Sequence, residues 1–178
     1  MKATIFTRNM LASALGVVLV ATASTSVADD AMMQAFEGYK TAWNSHDMQT
    51  LSSYFTEDAT YTDPGTGKLS GPAIAGAVQG LFTAIPDFKV QILSADAVDE
   101  DTLAEQWVIS GTWTKPFPSG PLAGAQPSGK SFTVPGSSFL EWQGDKIRSS
   151  VHYYDQLAFL TQIGVIPPPG EKPQASAK

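Results

Sequence analysis

Cysteine is absent from this 178-residue chain, and histidine nearly so, with only two residues. Without thiols there is no disulfide framework, no thiolate metal site and no cysteine nucleophile. His46 and His152 are too few for a histidine-rich metal centre. Charge is scarce as well: 16% of residues are charged and the net charge is −6, which argues against nucleic acid as a partner. Apolar residues, at 43%, supply enough material for a core and exclude a largely disordered chain. The length suits one domain better than two. Long apolar runs are also missing, apart from Met10 to Ala21 behind Lys2 and Arg8. That run is too short to span a bilayer and reads as the core of a signal peptide over residues 1–28. Ser26-Val27-Ala28 offers the small-x-small cleavage pattern, with Ala21-Thr22-Ala23 as a second cut. A mature chain starting at Asp29 would be periplasmic or secreted, with no stable membrane span after cleavage.

From Asp29 the pattern is helical. Asp29 and Asp30 can cap a helix whose apolar positions Met32, Phe36, Tyr39 and Trp43 recur at three- and four-residue steps. Asn44-Ser45-His46 breaks it, and Asp47 suits the cap of a short second helix carrying Met48, Leu51, Tyr54 and Phe55. Thr60-Tyr61-Thr62 reads as a brief strand stopped by the turn Asp63–Gly67. Ser70 can cap a third helix, with Pro72 in its first turn and a stripe of Ile74, Ala77 or Val78, Leu81, Phe82 and Ile85. Pro86-Asp87 ends it.

Beyond Phe88 the period becomes two. Strands are expected over Phe88–Ala97, Thr102–Thr114, Ser131–Gln143, with a bulge near Pro135-Gly136, and Lys146–Tyr154. On the second of these, Leu103, Glu105, Trp107 and Ile109 share one face. Lys115–Lys130, rich in Pro, Gly and Ala, is a long loop or rim. Asp155–Ile163 reads as a short helix ending at Gly164, and the proline-bearing tail as extended and mobile. Helices followed by an antiparallel meander make an α+β domain over residues 29–165 with a flexible tail over 166–178.

Several stretches, in this order and spacing, resemble the SnoaL-like polyketide cyclase and ester cyclase family of the nuclear transport factor 2-like superfamily. They are YKTAWNSHD (39–47), YFTEDATYTDP (54–64), LSGPAI (69–74), IPDF (85–88), WVISGTWT (107–114) and GDKIRSSVHYYDQLAFLTQIG (144–164). The resemblance implies a cystatin-like cone, in which N-terminal helices pack on a strongly curved mixed or antiparallel sheet and a short C-terminal helix follows. It further implies a cofactor-free and metal-free acid–base catalyst of the cyclase, isomerase or lyase type. Such a catalyst closes a ring through an enolate on a small hydrophobic carbonyl compound. By position, the family's acid–base aspartate maps to Asp155. Where family members often carry Gly-Thr-His, this chain has Gly111-Thr112-Trp113, an apolar ring in place of a hydrogen-bonding group. Homodimerisation through the convex sheet face is a further property of the superfamily.

Each candidate has a second reading in the residues themselves. Asp155 stands where a strand gives way to a helix, so it is either an N-cap, a group facing the cone, or both through its two oxygens. Glu105, acidic on an apolar face, lies near a wet strand end or points into a polar cavity, and Glu141 between Leu140 and Trp142 has the same alternatives. His152 is either an ordinary surface or core histidine or a proton shuttle, and a tyrosine or Glu105 is the group expected to assist Asp155. His46, Asp63 and Asp87 read as structural, turn and cap residues. Trp43, Tyr61, Phe82, Trp107, Trp113, Phe139 and Tyr153 are the aromatics expected to line an apolar pocket. The same pocket also suits a non-catalytic carrier of a small hydrophobic ligand.

Overall fold

The computed structural model describes residues 23–168 and 170, with side chains from residue 31 onward. The expected signal segment therefore lies outside the described residues up to position 22, as does most of the tail. Four helices and six strands follow one another as α1 (Ala23–Ser45), α2 (Met48–Ser53), β1 (Phe55–Asp63), β2 (Gly67–Ser70), α3 (Pro72–Ala84), β3 (Lys89–Ala97), β4 (Thr102–Thr112), β5 (Ser131–Gln143), β6 (Lys146–Tyr154) and α4 (Gln156–Gln162). The strands form one mixed sheet in the order β2-β1-β6-β5-β4-β3. This is the expected α+β class, with helices packed on one face of the sheet. Among the described residues no helix is long and apolar enough to cross a membrane.

Helix α1 buries the expected stripe of Met32, Phe36, Tyr39 and Trp43, joined by Ala42. It starts at Ala23, ahead of Asp29 and Asp30, which are thus inside the helix rather than at its cap. No glycine or proline between Ala23 and Asp30 interrupts it. It stops at His46, whose φ of 56° is left-handed. The His46 ring stacks on Phe82 at 4.0 Å, and its Nε2 bonds to the Phe88 carbonyl at 2.9 Å. That pair of contacts fixes the end of α1 against α3 and the start of β3. Asp47 caps α2, its carboxylate accepting from the Thr50 amide at 3.0 Å and the Thr50 hydroxyl at 2.7 Å.

The brief strand expected at residues 60–62 is longer and has a partner that local pattern does not disclose. β1 runs parallel to β6, with Tyr61 opposite Ser150, and antiparallel to β2. Asp63 closes the β1–β2 turn by accepting from the Gly65 and Thr66 amides at 2.6 and 2.7 Å. Ser70 ends β2, and the N-cap of α3 is Gly71 (φ 52°), followed by Pro72 in the first helical turn.

The meander β3-β4-β5-β6 is antiparallel throughout. No bulge occurs at Pro135-Gly136, where the β4–β5 register is continuous; the irregularity falls between Glu141 and Trp142, in the β5–β6 pairing. Pro135 is accommodated because β6 pairing begins one residue later, at Gly136 opposite Tyr154, so no ladder bond to β6 requires an amide from it. Gly136 itself is occupied from above: the Trp107 indole lies where a Cβ would stand. A side chain there forces the indole off β5. Gly136→Ala is expected to lower stability by about 1–3 kcal/mol, read as a reduced urea midpoint with an unchanged slope.

Candidate functional site

Between α1, α3 and the helix-covered face of the sheet lies a cavity of about 420 Å³. Its helical and β3 sides are largely apolar, formed by Phe36, Tyr39, Trp43, Ile74, Val78, Leu81, Val90 and Ile92, with Lys40 as a charged group from α1. The Lys115–Lys130 segment contributes Phe117 and Ser119 to Leu122, and Val165 and Ile166 join from beyond α4. The polar groups gather on the sheet side: Tyr61 and Asp63 from β1, Glu105 and Trp107 from β4, and His152 and Tyr154 from β6.

Strand register produces that gathering. Glu105 lies directly opposite Ser138, and Ser138 directly opposite His152, so three adjacent strands present one side chain each in a row. Ser138 is fully buried, Glu105 is 6% exposed and His152 9%. Trp107 Nε1 donates to Ser138 Oγ at 2.7 Å, and Ser138 Oγ meets His152 Nδ1 at the same distance. The other ring nitrogen of His152, Nε2, is buried with no partner among the described residues. Tyr61 lies against the imidazole, ring centres 4.4 Å apart.

Removal from water shifts every ionisable group in the row toward its neutral form. Burial raises the Glu105 pKa to about 7, against a smaller opposing influence from the Ser138 hydroxyl. Burial lowers that of His152 to about 4, with Asp63 pulling weakly the other way. The phenols of Tyr39, Tyr61 and Tyr154 are held above their ordinary range, chiefly by burial. Near neutrality the sheet side of the cavity thus combines a carboxyl poised between its two forms with an uncharged imidazole. Such a pair can take a proton from carbon and supply one to oxygen.

The model of the SnoaL-like polyketide cyclase family matches residues 33–163. The chain belongs to that family. Solved structures agree on the fold. AclR, a candidate hydroxylase of Streptomyces galilaeus, superposes with a TM-score of 0.66 at 18% identity, covering 85% of this chain and 87% of its own. A candidate SnoaL-like polyketide cyclase of a Jannaschia species gives 0.63 at 20%, covering 77% and 97%. A hypothetical protein of Catenulispora acidiphila, with a ketosteroid isomerase-like fold and bound trimethylamine, gives 0.60 at 24%, covering 74% and 92%. No curated protein sequence matches the chain.

Within this SnoaL-like framework the residues singled out from sequence separate into three groups. Glu105, His152, Trp43, Tyr61 and Trp107 line the cavity. Phe82 and Trp113 are buried elsewhere: Phe82 under His46, and Trp113 with its indole donating to the Lys115 carbonyl at 2.8 Å, at the neck of the long loop. Phe139 and Tyr153 are 45% and 56% exposed, because strand alternation turns them to the opposite face from Ser138 and His152. Asp155 is a correction of the same kind. It is exposed at the N-cap of α4, its carboxylate accepting from the Ala158 amide at 2.8 Å, and it does not line the cavity. The strand-to-helix transition aims it along the new helix axis. Glu141 faces away as well, paired with Arg148 at 3.0 Å.

Sequence reasoning missed Ser138 and gave Asp63 only its turn role. The signal for Ser138 was present: it shares strand parity with Val134, Leu140 and Trp142, a polar residue on a buried face. The site also has a pH signature. A carboxyl that holds its proton more tightly when folded stabilises fully below its unfolded pKa near 4.5, and that contribution fades as pH rises through 7. The imidazole does the reverse, with its contribution intact above 6.5 and lost toward pH 4. In the wild type the two oppose each other. Glu105→Gln should therefore gain roughly 3 kcal/mol relative to wild type between pH 4.5 and 7, as measured by urea unfolding at each pH.

Proposed function

We propose that this protein is an exported, cofactor-free acid–base catalyst acting on a small apolar carbonyl compound, with Glu105 and His152 as the proton-transferring groups. The observation that carries the reading is that Glu105 and His152, held in one row by the buried Ser138, line the sheet side of a cavity whose helical and β3 sides are largely apolar. Family membership supports the reaction class, since ring closure or isomerisation through an enolate needs one proton acceptor and one donor at the developing oxyanion. The cavity volume suits a one- or two-ring molecule, being within the range typical of small-molecule sites, roughly 300–1,000 Å³. Asp155, though the family's aspartate maps to it, has no part in this proposal, because its carboxylate is engaged at a helix end away from the cavity.

In the proposed step the substrate α-carbon lies against His152 Nε2, whose hydrogen-bonding capacity no group among the described residues uses. Glu105, as carboxylate, balances the proton that Nε2 removes from the α-carbon, and the enolate oxygen is held by the phenol of Tyr61. The enolate then attacks an internal carbonyl or is reprotonated at another carbon. Burial keeps Tyr61 protonated, so its hydroxyl remains a donor. Trp43 and Trp107 provide apolar contact.

Deuterium uptake from D2O at the α-carbon of cyclic and aryl β-keto esters, followed by NMR, tests this directly. The wild type should accelerate uptake, and Glu105→Gln should slow it by about 10²–10⁴-fold. Ligand retention with no exchange in any ester would instead favour a carrier of hydrophobic molecules. Export rests on the Met10–Ala21 run and the Ser26-Val27-Ala28 pattern. N-terminal sequencing of the periplasmic fraction should begin at Asp29, whereas an intact Met1 in the cytosol would rule export out.

A further inference from the structure

The Ser138 hydroxyl has an unusually restricted choice of partners. It carries one hydrogen and two lone pairs. The Trp107 indole, a donor only, occupies one lone pair at 2.7 Å. One donor and one acceptor function remain; His152 Nδ1 on β6 takes one at 2.7 Å, and the Glu105 carboxyl, directly opposite on β4 and acidified by this hydroxyl, is the neighbour left for the other. Only two arrangements use both. In the first, protonated Glu105 donates to Ser138, Ser138 donates to Nδ1, and the imidazole hydrogen is on Nε2. In the second, Ser138 donates to the Glu105 carboxylate, Nδ1–H donates to Ser138, and Nε2 is a bare lone pair.

We propose that Ser138 is a proton relay that locks the tautomer of His152 to the protonation state of Glu105. This deepens the acid–base reading above and takes its catalytic meaning from it. Passing from the first arrangement to the second moves the Glu105 proton to Ser138 and the Ser138 proton to Nδ1. The hydrogen on Nε2 leaves toward the cavity. One proton departs in all, and the imidazole is neutral before and after. A substrate atom at Nε2 thus meets a proton acceptor when Glu105 is ionised and a donor when it is protonated. Ser138 acts through its neighbours and is a positioning residue. Trp107 removes its third option.

The other ionisable groups lining the cavity are Tyr39 and Lys40 from α1, Tyr61 and Asp63 from β1, and Tyr154 from β6. The three phenols hold their protons. Asp63 spends its carboxylate on the Gly65 and Thr66 amides and biases His152 toward its proton without touching the row. α3, β3, α4 and the long loop contribute no titratable side chain to the lining.

Two histidines in the whole chain make the test direct. The full-length protein carrying 15N-labelled histidine and 13C-carboxyl glutamate is followed by long-range proton–nitrogen NMR from pH 5 to 9. Across the Glu105 titration, the His152 ring nitrogens should exchange their protonated and bare signatures, with the midpoint of the Glu105 carboxyl carbon. His46, bonded to the Phe88 carbonyl, serves as the internal reference. Glu105→Gln should abolish the exchange, Ser138→Ala should uncouple it from Glu105, and Ser138→Thr should restore it. A His152 tautomer that stays fixed while Glu105 titrates in the wild type overturns the relay, as does coupling that survives Ser138→Ala. The measurement needs no substrate, so its failure leaves the deuterium-uptake result standing, and absence of uptake leaves a positive relay result standing.

Discussion

Loss of water from the covered face of the sheet is the constraint on which the site depends. In solution a glutamate releases its proton near 4.5 and an imidazole near 6.5, so between those values the two meet as an ion pair. Here the order is inverted, with Glu105 near 7 and His152 near 4. Neither charge has enough solvent or enough opposing charge to persist there, and between about 4 and 7 both groups are neutral. The inversion requires the apolar cover supplied by α1, α3 and the long loop. A hydroxyl also stands between the two groups, with Ser138 bonded to His152 Nδ1 and lying opposite Glu105 in the ladder.

The helices illustrate how apolar cover is achieved with few specific contacts. The α1 stripe interlocks at ring edges, Tyr39 meeting Trp43, Tyr54, Phe55 and Trp142 at steep angles. These aromatics lock the helix across the sheet while Tyr39 and Trp43 also form cavity wall. On the sheet side, absence of a side chain matters as much: Gly136 leaves room for the Trp107 indole to cross β5 and present its N–H to Ser138. A glycine that looks like strand weakness is what allows the indole to hold the serine.

Much of this was legible in the sequence, and the boundary has physical causes. Period-two alternation put Glu105 on the same face as Leu103 and Trp107, and that face is the covered one. The helical stripe of α1, the Asp47 cap and the four-strand meander follow from local pattern in the same way. The parallel pairing of β1 with β6 does not, since it joins segments far apart in the chain and no local signal encodes it. Without that pairing, Tyr61 cannot be placed against His152 nor Asp63 at the cavity. Asp155 shows the opposite limit. The family pattern marks the position, but the local geometry of a helix start decides where the carboxylate points. Trp113, read as a pocket residue, sits past the last paired residue of β4 and instead ties off the long loop.

The cavity is built from two kinds of chain. Its proton-handling side belongs to hydrogen-bonded ladders, where a one-residue slip would reverse every side chain. Part of its remaining boundary comes from Phe117, Ser119 to Leu122, Val165 and Ile166, which lie outside the sheet and helices. Insertions or exchanges in those stretches alter the shape offered to a visiting molecule while the reactive row keeps its spacing. Chemistry and molecular taste are therefore separable here, and a lineage could trade one substrate for another by editing its loops alone.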